Sequence, residues 1–202
     1  QLSRMIKRET LTTIFAPSGG GKTSLLRAGV FPKLRQQGYF PVWLRLDHSI
    51  SGSDHSQWLR QQLEEAVKRQ GLDIDTSVPA RVSEEQETLW EFLHRIELWD
   101  KHNKLITPVI VLDQFEEIFT LGKGRQESND FLQVLADLVE KRIPLTLRKS
   151  LNEQGERINP STATQGYKII LSLREDFVAH LDDLRKPMPS IMHNRYPLRD
   201  LT

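Results

Sequence analysis

Cysteine is absent from the 202 residues. Its absence excludes a disulfide framework, a thiolate zinc site, an iron–sulfur cluster and a cysteine nucleophile, and it fits a reducing cytoplasm. Long apolar runs are missing too. The longest, Pro108 to Leu112 and Ile169 to Leu173, fall far short of the ~20 residues that span a bilayer, so no transmembrane helix is expected. Neither sign of charge dominates: 28 Lys and Arg stand against 27 Asp and Glu, for a net charge of +1. The chain therefore offers no general field to attract nucleic acid or an anionic membrane, and partners must be sought at local sites. An initiator Met, a signal-peptide stretch and an Asn-x-Ser/Thr acceptor are also lacking, and the reading is a cytoplasmic piece of a longer chain.

What is present suffices for a core: 38% of residues are hydrophobic, and one α/β domain over residues 1–202 is the default. Apolar runs alternate with amphipathic stretches, as when helices cover both faces of a mainly parallel sheet. Strands are expected at Leu11 to Ala16, Tyr39 to Asp47, Pro108 to Asp113 and Tyr167 to Leu173, with a weaker fifth at Asn194 to Leu198. Helices are expected from Thr23 to Gln36 with a kink at Pro32, from Ser56 to Gln70, and from Ser128 to Lys141. A capping box at Ser83-Glu84-Glu85-Gln86 should open another, burying Leu89, Leu93 and Ile96 and ending near Trp99. Phe177, Val178, Leu181 and Leu184 mark a short one. Asp73 to Val82 and Arg148 to Gln165 read as polar connectors.

Chemistry concentrates between the first strand and its helix. Ala16-Pro17-Ser18-Gly19-Gly20-Gly21-Lys22-Thr23, followed by Ser24, matches G-x-x-x-x-G-K-[ST] except that Ala stands at the first Gly. Glycines let backbone N–H groups turn inward around phosphate oxygens at the positive end of a helix. Lys22 adds a mobile cation, and Thr23 offers a hydroxyl to a magnesium ion on the terminal phosphates. The matching acid belongs at the tip of another buried strand, where Val109-Ile110-Val111-Leu112 ends in Asp113. The separation of Lys22 and Asp113 leaves room for an additional strand between theirs.

On these residues the chain resembles the STAND ATPases, P-loop signalling switches related to AAA+ proteins and to plant and animal immune receptors. The resemblance spans Ala16 to Arg27, Val109 to Phe119 and Ile169 to Leu181, and its Asp-Gln-Phe-Glu-Glu string points to a bacterial branch of novel STAND domains. It implies a three-layer P-loop NTPase of the additional-strand type with about five strands. It also implies ATP or ADP with Mg²⁺, a nucleotide-dependent homo-oligomer, and flanking effector and sensing-repeat modules. The closing winged-helix region of such proteins is expected beyond this sequence. Position by position, Lys22 and Thr23 match the phosphate-loop residues, Asp113 the magnesium aspartate, and Arg174 a sensor arginine that reaches the terminal phosphate. A surface ion pair of Arg174 with Glu175 or Asp176 is the alternative. Where many relatives carry a catalytic Glu after the aspartate, this chain has Gln114, which cannot take a proton. Glu116 is the candidate hydrolytic carboxylate, and a pair of first-turn acids at Glu116 and Glu117 is the alternative.

The expected function is an ATP-driven switch with slow turnover, controlling assembly in bacterial signalling or defence. A DNA-processing motor and a non-hydrolysing scaffold are the competing readings. ATP is preferred to GTP because Asn103-Lys104-Leu105-Ile106 lacks the Asp of a guanine-reading motif. The six His residues show no ligand spacing, and the four Trp residues suit core or interface positions. Arg195 and Arg199 can face nucleotide, a neighbouring subunit or solvent.

Overall fold

The computed structural model describes residues 1–46, 54–75, 80, 86–154 and 166–198. Its strands are β1 (Leu11–Ala16), β2 (Tyr39–Arg45), β3 (Asp73–Asp75), β4 (Glu97–Trp99), β5 (Leu105–Asp113), β6 (Lys168–Arg174) and β7 (Arg195–Pro197). Five of them run parallel, in the order β2, β5, β6, β1, β7. The anticipated additional strand is β6, which lies between the phosphate-loop strand β1 and the aspartate strand β5. The parallel set is the mainly parallel sheet of about five strands expected, and among the described residues short β3 and β4 extend it antiparallel to seven. Pro108, which has no N–H to donate, falls in β5 after the residues paired with β4 and before those paired with β6.

Side-chain alternation along the strands divides the core into two layers. Val109, Val111, Ile170 and Ile14 turn to one face, where they meet Leu2 and Ile6 of α1 (Leu2–Arg8) and Leu26, Phe31 and Leu34. Ile110, Leu112, Ile169 and Leu171 turn to the other. There they meet α4 (His55–Arg69), α5 (Leu89–Arg95), the short α6 (Glu117–Thr120) through Ile118, and α7 (Gln126–Val139). The buried carboxylate of Glu87 ties α4 to α5, with Arg95 Nε at 2.6 Å and Arg60 Nη2 at 3.1 Å. Such a pair is costly to break from one side, because the remaining charge stays buried.

Several expected elements take other forms. After the phosphate loop come α2 (Lys22–Ser24), a π-helical turn (Leu25–Val30) and α3 (Phe31–Gln36). The irregular turn precedes Pro32, whose missing N–H and ring disfavour regular α-bonding to the preceding turn. The capping box is Thr88 with Glu91: Thr88 Oγ1 accepts from Glu91 N at 3.2 Å, and Thr88 N donates to Glu91 Oε2 at 3.1 Å. That helix ends at Arg95, and Trp99 belongs to β4. Of the box expected at Ser83-Glu84-Glu85-Gln86, all but Gln86 lies outside the described residues, as do Asp47 and Arg199. Asp73–Asp75, read as connector, forms β3 because β4 offers it an edge. Likewise Leu145–Gln154 is a helix, α8, whose Leu147 and Leu151 are buried. The helix after β6 is a 3₁₀ helix, Glu175–Leu184. Among the described residues no helix is long and apolar enough to cross a membrane.

Candidate functional site

All five parallel strands end toward one rim, and the β1 and β5 tips there flank a cavity of about 660 Å³. Ser18, Gly19, Gly20, Gly21, Lys22, Thr23 and Ser24 line one side; Asp113, Glu116 and Arg174 line the other. Ala16 and Pro17 lie outside the lining and shape it from behind. Ala16 is 1% exposed at the end of β1, and Pro17 O accepts the Gly20 N–H at 3.0 Å.

The loop's conformation explains its glycines. Gly19 and Gly21 hold φ of 76° and 73°, the left-handed region that side chains disfavour, and open space lies where a Cβ on either would sit. Gly20 is required for contact instead: an added Cβ would lie 2.9 Å from Ala16 Cβ and 3.0 Å from Pro17 O. Ala at the first motif position is thus accommodated by glycine four residues later. The amides of Gly20 and Gly21 are used within the turn, bonding Pro17 O at 3.0 Å and Gly19 O at 2.8 Å. No side chain caps the N-terminus of α2, so the amides of Lys22, Thr23 and Ser24 stay available to an anion at the cavity. Lys22 Nζ reaches back to Ala16 O at 3.4 Å, a long contact that a phosphate oxygen readily displaces.

Across the cavity every acid is already held. Asp113 Oδ1 accepts from the fully buried Ser172 Oγ at 2.8 Å. Gln114 then turns left-handed with φ 52°, Phe115 N donates to Ser172 O at 2.9 Å, and the Phe115 ring enters the core. This reversal returns Glu116 to the β6 tip, where its Oε2 accepts from Arg174 N at 3.2 Å. Among the described residues its other oxygen carries no hydrogen bond. Glu117 points instead to Arg45 at the end of β2, with Nε to Oε2 at 3.0 Å and a second contact from Nη2 to Oε1. This hydrogen bond is the leading cause that raises the Arg45 pKa. The Arg174 guanidinium pairs with Asp176, Nε to Oδ1 at 3.1 Å, and lies 5.6 Å from the Phe177 ring centre. The surface pair read as an alternative is therefore formed, on a residue that also lines the cavity.

Sequence reasoning gave no role to Ser172, although it lies within the Ile169-to-Leu181 string, or to Arg45, which lies outside all three strings; both hold acids of the cavity. Arg45, a charged residue closing an apolar strand, offered a signal; Ser172, set between two leucines within β6, offered none. Arg195 turns away from the cavity: Nε donates to Ile191 O at 3.0 Å, and Nη2 lies 3.8 Å from Asp182.

The sequence matches the family model of novel STAND NTPase 1 over residues 1–202. The chain belongs to the novel STAND NTPase 1 family. Its fold is similar to a structure of the Aeropyrum Pernix ORC2 protein in ADPNP–ADP complexes, with TM-score 0.50 and 14% identity over 97% of this chain and 46% of that one. The ADP form of the same protein aligns with TM-score 0.48 and 14% identity, again covering 97% and 46%. The chain thus spans about half the length of those structures. None of the curated proteins matches it. Family and fold together describe a nucleotide-binding NTPase domain of the P-loop type.

Proposed function

We propose that this domain binds ATP with magnesium and hydrolyses it slowly, as a switch whose nucleotide state controls assembly. The observation that carries this reading is the single cavity shared by the glycine loop, Asp113, Glu116 and Arg174. Free helix-start amides and Lys22 receive the phosphates, as the positive end of a helix favours anions. The Thr23 hydroxyl and the Asp113 carboxylate are hard oxygen donors on opposite walls, a set that suits a divalent cation completed by phosphate oxygens and water. Magnesium, when bound, neutralises charge on the terminal phosphates. Ser172 fixes the Asp113 carboxylate for that role.

Glu116 is the hydrolytic carboxylate by the same geometry. One oxygen is anchored on Arg174 N, leaving the other to accept a proton from an attacking water. Glu117 serves this role less well, because Arg45 engages both of its oxygens. Arg174 leaves Asp176 to meet a γ-phosphate. Exposed ion pairs contribute only about 0–1 kcal/mol, so the exchange costs little against a more highly charged and less solvated partner. Adenine is favoured over guanine because Asn103-Lys104 sits in the turn before β5, at the end of the strand remote from the cavity.

In the cytoplasm, where ATP is supplied, such a domain acts as a homo-oligomer between effector and sensing modules of a longer chain, in bacterial signalling or defence. Calorimetric titration with ATP, ADP and GTP, with and without magnesium, tests the nucleotide part of this reading. Magnesium-dependent binding of ATP is expected. A GTP preference, or no binding of any nucleotide, overturns it.

A further inference from the structure

The outer edge of β2 lies in a second groove of about 550 Å³, between α3 on one face of the sheet and α4 on the other. Among the described strands β2 pairs with β5 alone. Gly38 O accepts from Thr107 N at 2.9 Å, so alternation directs the backbone groups of Phe40, Val42 and Leu44 toward β5. Those of Tyr39, Pro41, Trp43 and Arg45 face outward. Pro41 occupies an outward position, as a proline within an edge strand must. Tyr39, Trp43 and Arg45 each present an N–H and a C=O along this edge, and Pro41 presents a C=O.

Charge at the groove is of one sign. Arg27 and Arg35 project from the α3 side and Arg69 from the α4 side, with no acidic residue in the lining. Among the described residues none of these three guanidiniums makes an ion pair. Arg69 Nε bonds only the backbone Glu65 O, at 3.3 Å. Arg27 covers the Trp43 ring at 4.9 Å from its centre, which occupies the face that a nucleobase would need for stacking.

We infer that the β2 edge is a docking site for an extended acidic segment of a partner protein, which adds to the sheet as a strand. Backbone bonding to Tyr39, Trp43 and Arg45 supplies affinity, and carboxylates facing Arg27, Arg35 and Arg69 supply selectivity. A nucleic acid strand lacks the regular N–H donors and C=O acceptors that this edge matches. The inference is independent of the nucleotide reading, because no residue of the groove lines the phosphate cavity.

The test uses the full chain and three fluorescein-labelled ten-residue probes. These are alternating Val-Glu, alternating Val-Lys, and Val-Glu with every amide nitrogen methylated, which removes the N–H donors from both edges of the probe. Fluorescence anisotropy should show binding of Val-Glu alone, weakened at least tenfold in Arg35→Glu/Arg69→Glu, a pair of exposed helix positions. In NMR hydrogen exchange the amides of Tyr39, Trp43 and Arg45 should slow on binding, while those of Phe40, Val42 and Leu44 stay unchanged. Equal binding of the methylated probe overturns strand addition, and equal binding of Val-Lys overturns the acidic partner. Failure of Val-Glu to bind at millimolar concentration overturns the proposal outright. Tighter binding of labelled oligothymidylate, abolished by the same double substitution, reassigns the groove to single-stranded nucleic acid.

Discussion

Residues 18–24 and the acidic residues of the segment 113–117 face each other across one cavity, and they are built in opposite ways. The loop works with backbone: its polar groups are exposed or spent in short turns, and its side chains have almost no protein partners. The acidic segment works with side chains fixed from neighbouring strands: Asp113 by Ser172 of β6, Glu116 by the backbone at the β6 tip, and Glu117 by Arg45 of β2. An anion must be received by groups that the protein itself leaves unpaired, whereas a carboxylate that directs a water or a cation must be oriented beforehand. Substitution of the acids should therefore act on rate, and substitution of the loop on affinity.

The largest effect expected is on turnover. Glu116→Gln keeps the size and the anchor on Arg174 N but removes the proton acceptor, and loss of a general base costs about 10²–10⁴-fold in rate. ATP affinity should stay within about twofold, because the amide oxygen keeps the anchor on Arg174 N and the lost proton acceptor acts only in the chemical step. Single-turnover assays separate the two quantities. Glu117→Gln should have the smaller effect on rate, and a reversed ranking would transfer the role to Glu117.

Lys22→Ala comes next and acts on the other wall. A hydrogen bond to a charged group contributes about 1.5–3 kcal/mol, or roughly a 10–150-fold loss of ATP affinity. Calorimetric titration of both proteins measures it, and equal affinities would remove Lys22 from the site. Arg174→Ala is expected to raise the ATP dissociation constant about tenfold, ~1.4 kcal/mol, and to leave ADP nearly unchanged. An unaltered ATP-to-ADP ratio would leave Arg174 only its pair with Asp176.

The two walls were unequally legible in the sequence. The loop announces itself because glycine spacing encodes backbone shape directly, and the strand before it and helix after it follow from local pattern. Asp113 was legible as the end of an apolar run. Its holder Ser172 was not, since a hydroxyl between Leu171 and Leu173 looks like any strand residue until β6 is known to lie beside β5. The left-handed turn at Gln114, which decides where Glu116 goes, has no signal in a residue that is neither Gly nor Asn. The same limit applies to the fold: long parallel strands were readable, while three-residue β3 and β4 exist through pairing with each other and with β5. Helix α8 was hidden by polar neighbours, and only burial of Leu147 and Leu151 reveals its inner face.

The smallest expected effect is the most specific to preorganisation of the acidic wall. Ser172→Ala deletes one hydroxyl that is fully buried and bonded to Asp113 Oδ1 at 2.8 Å. The carboxylate remains, so magnesium still binds, but rotation of Asp113 is no longer restrained on that side. The lost bond is worth about 1 kcal/mol, equivalent to roughly a fivefold rise in the magnesium concentration that gives half-maximal turnover. Saturating magnesium should restore the rate, because the variant still carries both the metal ligand and Glu116. A merely structural role predicts another outcome: a lower melting temperature, a reduced rate at all magnesium concentrations and an unchanged half-point. That result would detach Ser172 from Asp113 and leave the acidic wall organised by β5 and the turn at Gln114 alone.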